Sequence, residues 1–134
     1  MAFEIPGFKP AGFVAASDLR TKQFYCLKHT TTNNTVDLCS VAGEMVFGIL
    51  QNTPNTNEAA EIMLMGISKV IASETLTAND WWGTASTGKA QKIDITKTGA
   101  DVNNWAMGKV VVGAAANAYA SVTINLIGHL VLNA

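Results

Sequence analysis

The sequence has few charged side chains. Only 14% of its 134 residues are Asp, Glu, Lys or Arg, against about 25% in an average globular protein. The formal net charge is −1, which excludes a general attraction to nucleic acid or to an anionic membrane. The polar surface must therefore come largely from Thr, Asn, Ser and Gln, which favour strands and turns. Because low charge promotes association, we expect a chain that covers part of its surface with neighbours; a lightly charged monomer is the alternative.

Cysteine is scarce, and long apolar runs are absent. Two cysteines, Cys26 and Cys39, do not make a disulfide framework, and we predict that both are small buried apolar side chains. No apolar run is long enough to span a bilayer, and the first residues lack a basic region followed by a hydrophobic segment. We therefore expect no membrane partner and synthesis in a cytoplasm. The length suits one domain with a real core.

Residues that usually carry chemistry are also missing. His29 and His129 have no cysteine or carboxylate at metal-ligand spacing. The acidic residues are scattered over predicted turns, and nothing points to a partner that would orient a cysteine–histidine pair. The basic residues are too dispersed to line a nucleic-acid groove. We predict no catalytic residue, no cofactor and no metal, and therefore a protein that is not an enzyme.

One segment nearly matches a phosphate-binding loop. Residues 83–90 read Gly-Thr-Ala-Ser-Thr-Gly-Lys-Ala, but Ala90 stands where a hydroxyl must hold Mg²⁺. The residues that follow suit a strand, whereas the motif requires a helix whose N-terminus faces the phosphate. We predict instead a hairpin turn with Gly88 at positive φ.

Apolar residues are spaced as in strands along the whole chain, and nothing long shows helical periodicity. A weak internal repeat places two similar hairpins after Gly48 and Gly108. The sequence therefore predicts an all-β fold, a small antiparallel barrel or sandwich built from hairpins. The predicted strands or apolar strand segments are 23–30, 36–40, 45–50, 62–65, 81–82, 92–95, 107–113 and 122–132.

The first sixteen residues differ from the rest. We predict an extended N-terminal arm over residues 1–16 and a single β domain over residues 17–134. The prolines hinder a regular strand ladder, while the aromatic and aliphatic residues are too apolar for a disordered tail. The arm should lie in a groove, either on its own domain or on a neighbour. Its apolar residues are Phe3, Ile5, Phe8 and Phe13, and its prolines are Pro6 and Pro10.

The hairpin at residues 45–65 organises the chain and carries a resemblance. Gly48-Ile49-Leu50-Gln51-Asn52-Thr53-Pro54 is followed by Glu58-Ala59-Ala60 and by Gly66-Ile67-Ser68-Lys69-Val70. In this order and spacing the segments resemble the capsid decoration, or cement, proteins of tailed bacteriophages. The likeness continues through 77–80 and 87–90, and more weakly through Gly108 and the last strand, so that it covers residues 20–132. That family commonly has glycine where this chain has Asn57 and Asn79, and asparagine tolerates the same left-handed backbone.

The resemblance implies a structural virion protein. Such a protein would bind the outer surface of a phage capsid and stabilise it by clamping adjacent major capsid subunits. It would be made in the host cytoplasm, and its copies would cluster as homotrimers, with dimers as the alternative. Another virion or tail component with a receptor- or glycan-binding β module is the alternative function.

Two groups of residues are candidates for contacts with the capsid or with a neighbouring copy. The arm supplies Phe3, Ile5, Pro6, Phe8, Pro10 and Phe13. The second group is the pair Trp81 and Trp82. Adjacent strand residues face opposite ways, so one of the two is predicted to be buried and the other not.

Overall fold

The computed structural model describes residues 2–95, 103–124 and 129–132, and within these ranges the chain is entirely β and irregular structure. The predicted all-β class is confirmed. The described part of the chain holds no helix that is long and apolar enough to cross a membrane. The polar connection predicted around residues 96–102 lies outside the described residues, and so does the middle of the predicted last strand, residues 125–128.

Six antiparallel strands form an open sheet. In spatial order its strands are β1 (Ile5–Phe8), β8 (Met65–Ile71), β13 (Tyr119–Ile124), β12 (Gly108–Val112), β9 (Trp81–Thr84) and β10 (Ala90–Lys92). Two further strands, β11 (Asn103–Ala106) and β14 (His129–Leu132), pair with each other antiparallel. The predicted strand at 92–95 is shifted, because Ala90 is buried and pairs with Thr84 while Asp94 and Ile95 are exposed.

The other six strands curl into a small barrel. In spatial order they are β6 (Ala59–Ala60), β2 (Phe13–Ala15), β4 (Thr35–Leu38), β3 (Cys26–His29), β5 (Gly48–Leu50) and β7 (Ile62–Met63). The two strands at the ends of this order, β6 and β7, are separated only by Glu61. Residues 59–63 therefore pair with β2 on one side and with β5 on the other, which closes the sheet. The β2–β4 pair is parallel, and the other pairs are antiparallel.

The two larger hydrophobic clusters of the described residues follow from this arrangement. One cluster comes from the barrel strands and from nearby Leu19 and Leu64, and it includes Leu27, Val36 and Leu50. The other cluster combines barrel residues whose side chains point to the opposite face of the barrel wall with residues of the open sheet. It contains Cys26, Cys39, Val46, Ile49, Met63, Val70, Ala72, Leu76, Trp82, Ala90, Met107, Val110, Ala120, Val122 and Ile124.

Both cysteines lie in this shared core as free thiols, which confirms that they are buried apolar side chains. The two hairpins of the internal repeat also meet there. The hairpin β5–β7 contributes Ile49 and Met63, and the hairpin β12–β13 contributes Val110 and Val122. Residues of both hairpins therefore share one hydrophobic core.

Three predicted turn conformations are present. Gly88 has φ 81° in the hairpin between β9 and β10, where the Ala85 amide donates to the Lys89 carbonyl over 2.7 Å. The segment that nearly matches a phosphate-binding loop is therefore a strand turn, and a strand follows it. Asn57 and Asn79 have φ 64° and 78°, so both take the left-handed conformation that glycine would otherwise supply.

The predicted arm lies on its own domain. β1 is an edge strand of the open sheet, and β2 lies inside the barrel wall between β4 and β6. Pro6 falls within β1, which an edge strand tolerates because its missing amide need not serve a second neighbour. The register of β1 is nevertheless irregular between Ile5 and Phe8, in keeping with the expected disturbance of the ladder.

Candidate interaction surface

A bulge in β1 places two apolar side chains on the same face. Ile5 pairs with Ile67, and Phe8 pairs with Met65, so three steps along β1 match two steps along β8. In a regular strand, residues three apart point to opposite faces. The extra residue at the bulge turns the strand so that Ile5 and Phe8 point to the same face. Ile5 and Phe8 therefore both lie beside residues that share one face of β8.

Glycine is required where the two strands cross. A Cβ atom added to Gly7 would overlap the Met65 carbonyl oxygen, and one added to Gly66 would lie 3.0 Å from the Gly7 Cα atom. Gly66 also has φ +125°, a conformation that other residues rarely adopt. The glycine pair thus allows β1 to lie close against β8 at the bulge.

The result is an exposed apolar strip, defined here as Phe3, Ile5, Phe8, Met65 and Ile67. Four of these residues are exposed to solvent: 37% of Phe3, 52% of Ile5, 56% of Phe8 and 45% of Met65 is accessible. Contiguous exposed apolar patches of this kind mark interaction sites on soluble proteins.

The start of the strip is held by a side chain two strands away. The backbone amide of Phe3 donates to Ser121 Oγ over 2.5 Å, and the same hydroxyl donates to the Phe3 carbonyl over 2.8 Å. Ser121 lies on β13 and is fully buried. The chain therefore reaches over the outer face of the open sheet before it runs along the sheet edge, and Phe3 is fixed in place.

Glu4 is directed away from the strip. Its carboxylate lies 3.2 Å from the Ser68 hydroxyl oxygen, whose one proton also has the Lys69 carbonyl within reach at 2.8 Å. Gln51 Nε2 in turn donates to Ser68 Oγ over 2.9 Å and to the Ile49 carbonyl over 3.0 Å. Gln51 and Ser68 belong to two of the motifs that carried the family resemblance. Those motifs therefore meet in space, and together they hold the base of β1.

The remaining candidates of the arm lie elsewhere. Pro10 is half-buried and lines a shallow groove with Phe13 and Asn52. Phe13 packs against the barrel core, and its ring contacts Phe47 edge to face at 5.3 Å between centroids. Pro6 lies in β1 between the strip residues. The structure thus brings Phe3, Ile5 and Phe8 together and separates Phe13 from them.

The two tryptophans differ in burial, as predicted, and Trp82 is no longer a candidate for contact with the capsid or a neighbouring copy. Trp82 is fully buried and its Nε1 donates to the Thr123 carbonyl over 2.8 Å, so it cannot reach a neighbouring molecule. Trp81 is half-buried on the opposite face, where the Lys109 ammonium lies 4.4 Å from its ring centroid. Lys109 covers part of that ring, and Trp81 is not part of the apolar strip.

Sequence reasoning missed three residues of this surface, namely Met65, Ile67 and Ser121. Residues 62–65 are all apolar, a pattern that predicts a strand buried on both faces. Buried Leu64 and exposed Met65 instead mark the point where the chain passes from the barrel to the open sheet. In β8, apolar Ile67 is followed by polar Ser68 and Lys69. This change from apolar to polar residues was the signal in the sequence that a face of the strand points outward.

The described residues offer little for covalent or metal chemistry. They contain no group of three or more His, Cys, Asp or Glu side chains that could hold a metal ion. Burial raises the pKa of Cys26 to about 12, and burial also raises the pKa of Cys39. Because the thiolate is the reactive form, both thiols are poor nucleophiles at neutral pH.

Comparison with known proteins gives a likeness of fold. No protein-family model matches the sequence, and no curated protein matches it. Among solved structures, the chain is similar to the head fiber gp8.5 N base of bacteriophage phi29. The TM-score is 0.67 at 13% sequence identity, over 91% of this chain and 97% of that chain. At this identity the likeness concerns the fold.

Proposed function

We propose that this chain is a structural protein of a bacteriophage virion that sits on the outer surface of the head. The observation that carries the proposal is the shared fold, which extends over 91% of the chain and over nearly all of a phage head fiber base. The resemblance of residues 20–132 to capsid decoration proteins supports the same location.

The apolar strip is the proposed contact with the major capsid protein. Fully burying a large apolar side chain stabilises a complex by about 1.5–3 kcal/mol relative to leaving it in water. The strip presents four such side chains, each partly exposed. If they lie across a seam between adjacent capsid subunits, opening that seam must expose them again. Many copies on one shell would add their small contributions, which is how a cement protein clamps a capsid.

Self-association is part of this proposal. Closed rotational symmetry is the rule for soluble homo-oligomers, and capsid surfaces offer threefold and twofold positions. We favour trimers on the shell, with dimers as the alternative. The low charge of the chain is in keeping with surfaces that meet other copies.

A second candidate is favoured by the structural neighbour itself. The matched protein is the N base of a head fiber, so this chain could equally be the base of a projecting virion component that binds receptors or glycans. Copy number separates the two functions. A cement protein should be present at stoichiometric abundance in purified virions, and a fiber base should be present at fewer copies.

Capsid binding tests the proposed contact directly. Undecorated heads of the phage that encodes this chain would be mixed with purified protein, sedimented, and assayed for bound chain. We expect the double variant Ile5→Ser/Phe8→Ser to bind at least tenfold more weakly than the unmodified chain. Val41→Ser is the matched control, because Val41 is 59% exposed and lies outside the strip. Equal binding by the double variant would remove the strip from the capsid contact, and no binding by the unmodified chain would remove the proposed function.

A further inference from the structure

A cleft beside one end of the barrel has no role in the proposed capsid contact. Three rings surround that end of the barrel: Phe13, His29 and Phe47 contact one another edge to face, with centroid distances of 5.3 to 6.2 Å. Next to them lies a cleft of about 310 Å³, lined by Lys28, His29, Glu44, Met45 and Phe47. Its volume falls at the lower end of the range of small-molecule sites.

The apolar wall of the cleft is held rigidly. The Phe47 amide donates to the Leu27 carbonyl over 2.7 Å, and the ring is held by its contacts with Phe13 and His29. Met45 extends the wall and is 43% exposed. A fixed ring and an exposed thioether together offer a flat apolar surface to a ligand.

The polar groups of the cleft are also held in place, and each keeps unused hydrogen-bonding capacity. Glu44 Oε1 accepts from the backbone amides of Ser40 and Val41 over 2.6 and 3.1 Å. Glu44 Oε2 has no hydrogen-bond partner among the residues that the structure describes. Lys28 Nζ donates to Ser40 Oγ over 2.9 Å and has two further protons to donate.

His29 adds a third polar group. Its Nδ1 lies 2.5 Å from the Thr30 carbonyl oxygen. A carbonyl can only accept, so Nδ1 carries the proton, and in the neutral ring Nε2 is left as an acceptor. The cleft therefore offers donors and acceptors of fixed position around an apolar wall.

We propose that this cleft binds a neutral sugar ring. A pyranose presents an apolar C–H face that packs on a ring or thioether, and its edge carries hydroxyl groups that both donate and accept. Glu44 opposes an anionic ligand and Lys28 opposes a cationic one, whereas a purely apolar ligand would take water from both charges without replacing their hydrogen bonds. Because the opposite charges of Lys28 and Glu44 leave the cleft with no net preference for an anion or a cation, a neutral ring that carries both donors and acceptors fits it best. This site is independent of the apolar strip, and sugar binding does not require that the chain binds capsids.

Nuclear magnetic resonance titration of the full chain tests the proposal. The probes are the neutral methyl glycosides of glucose, galactose and N-acetylglucosamine, with glucuronic acid and glucosamine as charged comparators. We expect at least one neutral glycoside to shift the amide signals of Met45 and Phe47. The dissociation constant should be roughly millimolar, as is usual for a ligand of about a dozen non-hydrogen atoms.

Two matched variants localise the binding. Glu44→Gln keeps an oxygen that accepts from the backbone and replaces the free carboxylate oxygen with an amide, so we expect about tenfold weaker binding. Glu58→Gln is the control, because Glu58 Oε1 likewise accepts a backbone amide, that of Asn55, over 2.7 Å. Met45→Ala should also weaken binding. The proposal is overturned if no neutral glycoside shifts these signals, if a charged comparator binds more tightly, or if Glu44→Gln binds as the unmodified chain does.

Discussion

Gln51 Nε2 lies 2.9 Å from the hydroxyl oxygen of Ser68, and this hydrogen bond joins the barrel to the open sheet. Gln51 follows barrel strand β5, and Ser68 lies in β8 of the open sheet. Both side chains are buried. The bond is therefore a polar connection inside an otherwise apolar interface, where an unpaired partner is costly.

Loss of this bond should lower stability measurably. We expect Gln51→Ala to reduce the free energy of unfolding by about 1–3 kcal/mol, because Ser68 and the Ile49 carbonyl each lose a buried donor. In a double-mutant cycle with Ser68→Ala, the coupling energy from urea unfolding should be about 0.5–3 kcal/mol. Thr21→Ala serves as the control, since Thr21 is exposed and should change stability by less than about 0.5 kcal/mol. A coupling energy of zero would show that the two side chains do not stabilise each other.

The glycine crossing of β1 over β8 gives a second prediction. Gly7→Ala must displace β1, because the new Cβ would overlap the Met65 carbonyl oxygen. Hydrogen exchange at the Leu64 amide, which donates to the Phe8 carbonyl over 2.8 Å, should become faster as the edge strand detaches. Gly12→Ala is the matched control: its Cβ would meet nothing within 4 Å, although φ is +101°. It should cost roughly 1–2 kcal/mol of backbone strain without local detachment of β1. Unchanged exchange in Gly7→Ala would argue against close contact of the two strands.

The two strands of the predicted arm should differ in importance. Deletion of residues 1–9 removes β1 from the edge of the open sheet and leaves the barrel strands intact. We expect a folded protein with a lowered melting temperature. Deletion of residues 1–16 also removes β2, which pairs with both β4 and β6, and it should open the barrel and abolish cooperative unfolding. Circular dichroism melting curves distinguish the two truncations. A cooperative transition in the longer deletion would mean that the barrel holds without β2.

The buried cysteines predict a loss of stability at alkaline pH. Burial raises the pKa of Cys26 from 9.0 to about 12, so between these values the folded chain keeps a proton that the unfolded chain releases. The stabilisation is complete below pH 9 and is lost as pH rises towards 12. The free energy of unfolding should fall by up to about 1.4 kcal/mol per pH unit for each such thiol.

Urea unfolding at several pH values above and below 9 measures that slope. Other groups titrate in the same range, so the informative quantity is the difference between the unmodified chain and Cys26→Ala. The variant should show a shallower fall above pH 9. Identical slopes in the two proteins would mean that the Cys26 thiol titrates alike in the folded and unfolded states.

Local signals in the sequence were sufficient for the strands and turns. Residues 30–34 separate β3 from β4, as turn formers between apolar runs predict. Asn57, Asn79 and Gly88 take positive φ because few other residues adopt it without strain. These features are determined by residues that are adjacent in the chain, so a single sequence is sufficient to predict them.

The surface and the barrel closure required information that the sequence does not display. Whether Ile5 and Phe8 share a face depends on one extra residue in the pairing with β8, about sixty positions away. The burial of the Trp82 indole N–H depends on the Thr123 carbonyl, which is 41 positions away in the sequence. The prolines correctly indicated a disturbed strand, but they could not show that the disturbance creates an apolar strip.

The barrel strands follow one another in the sequence, and this affects the order in which the strands of the chain pair during folding. All six lie between Phe13 and Met63, whereas β1 must wait for β8, which begins at Met65. During synthesis the barrel strands are therefore complete before the edge partner of β1 exists. The first strand of the chain is therefore expected to dock after the barrel strands have formed, once a long loop has closed. Until then Phe3, Ile5 and Phe8 are free, so at high concentration β1 of one copy can pair with β8 of another and exchange strands between two molecules.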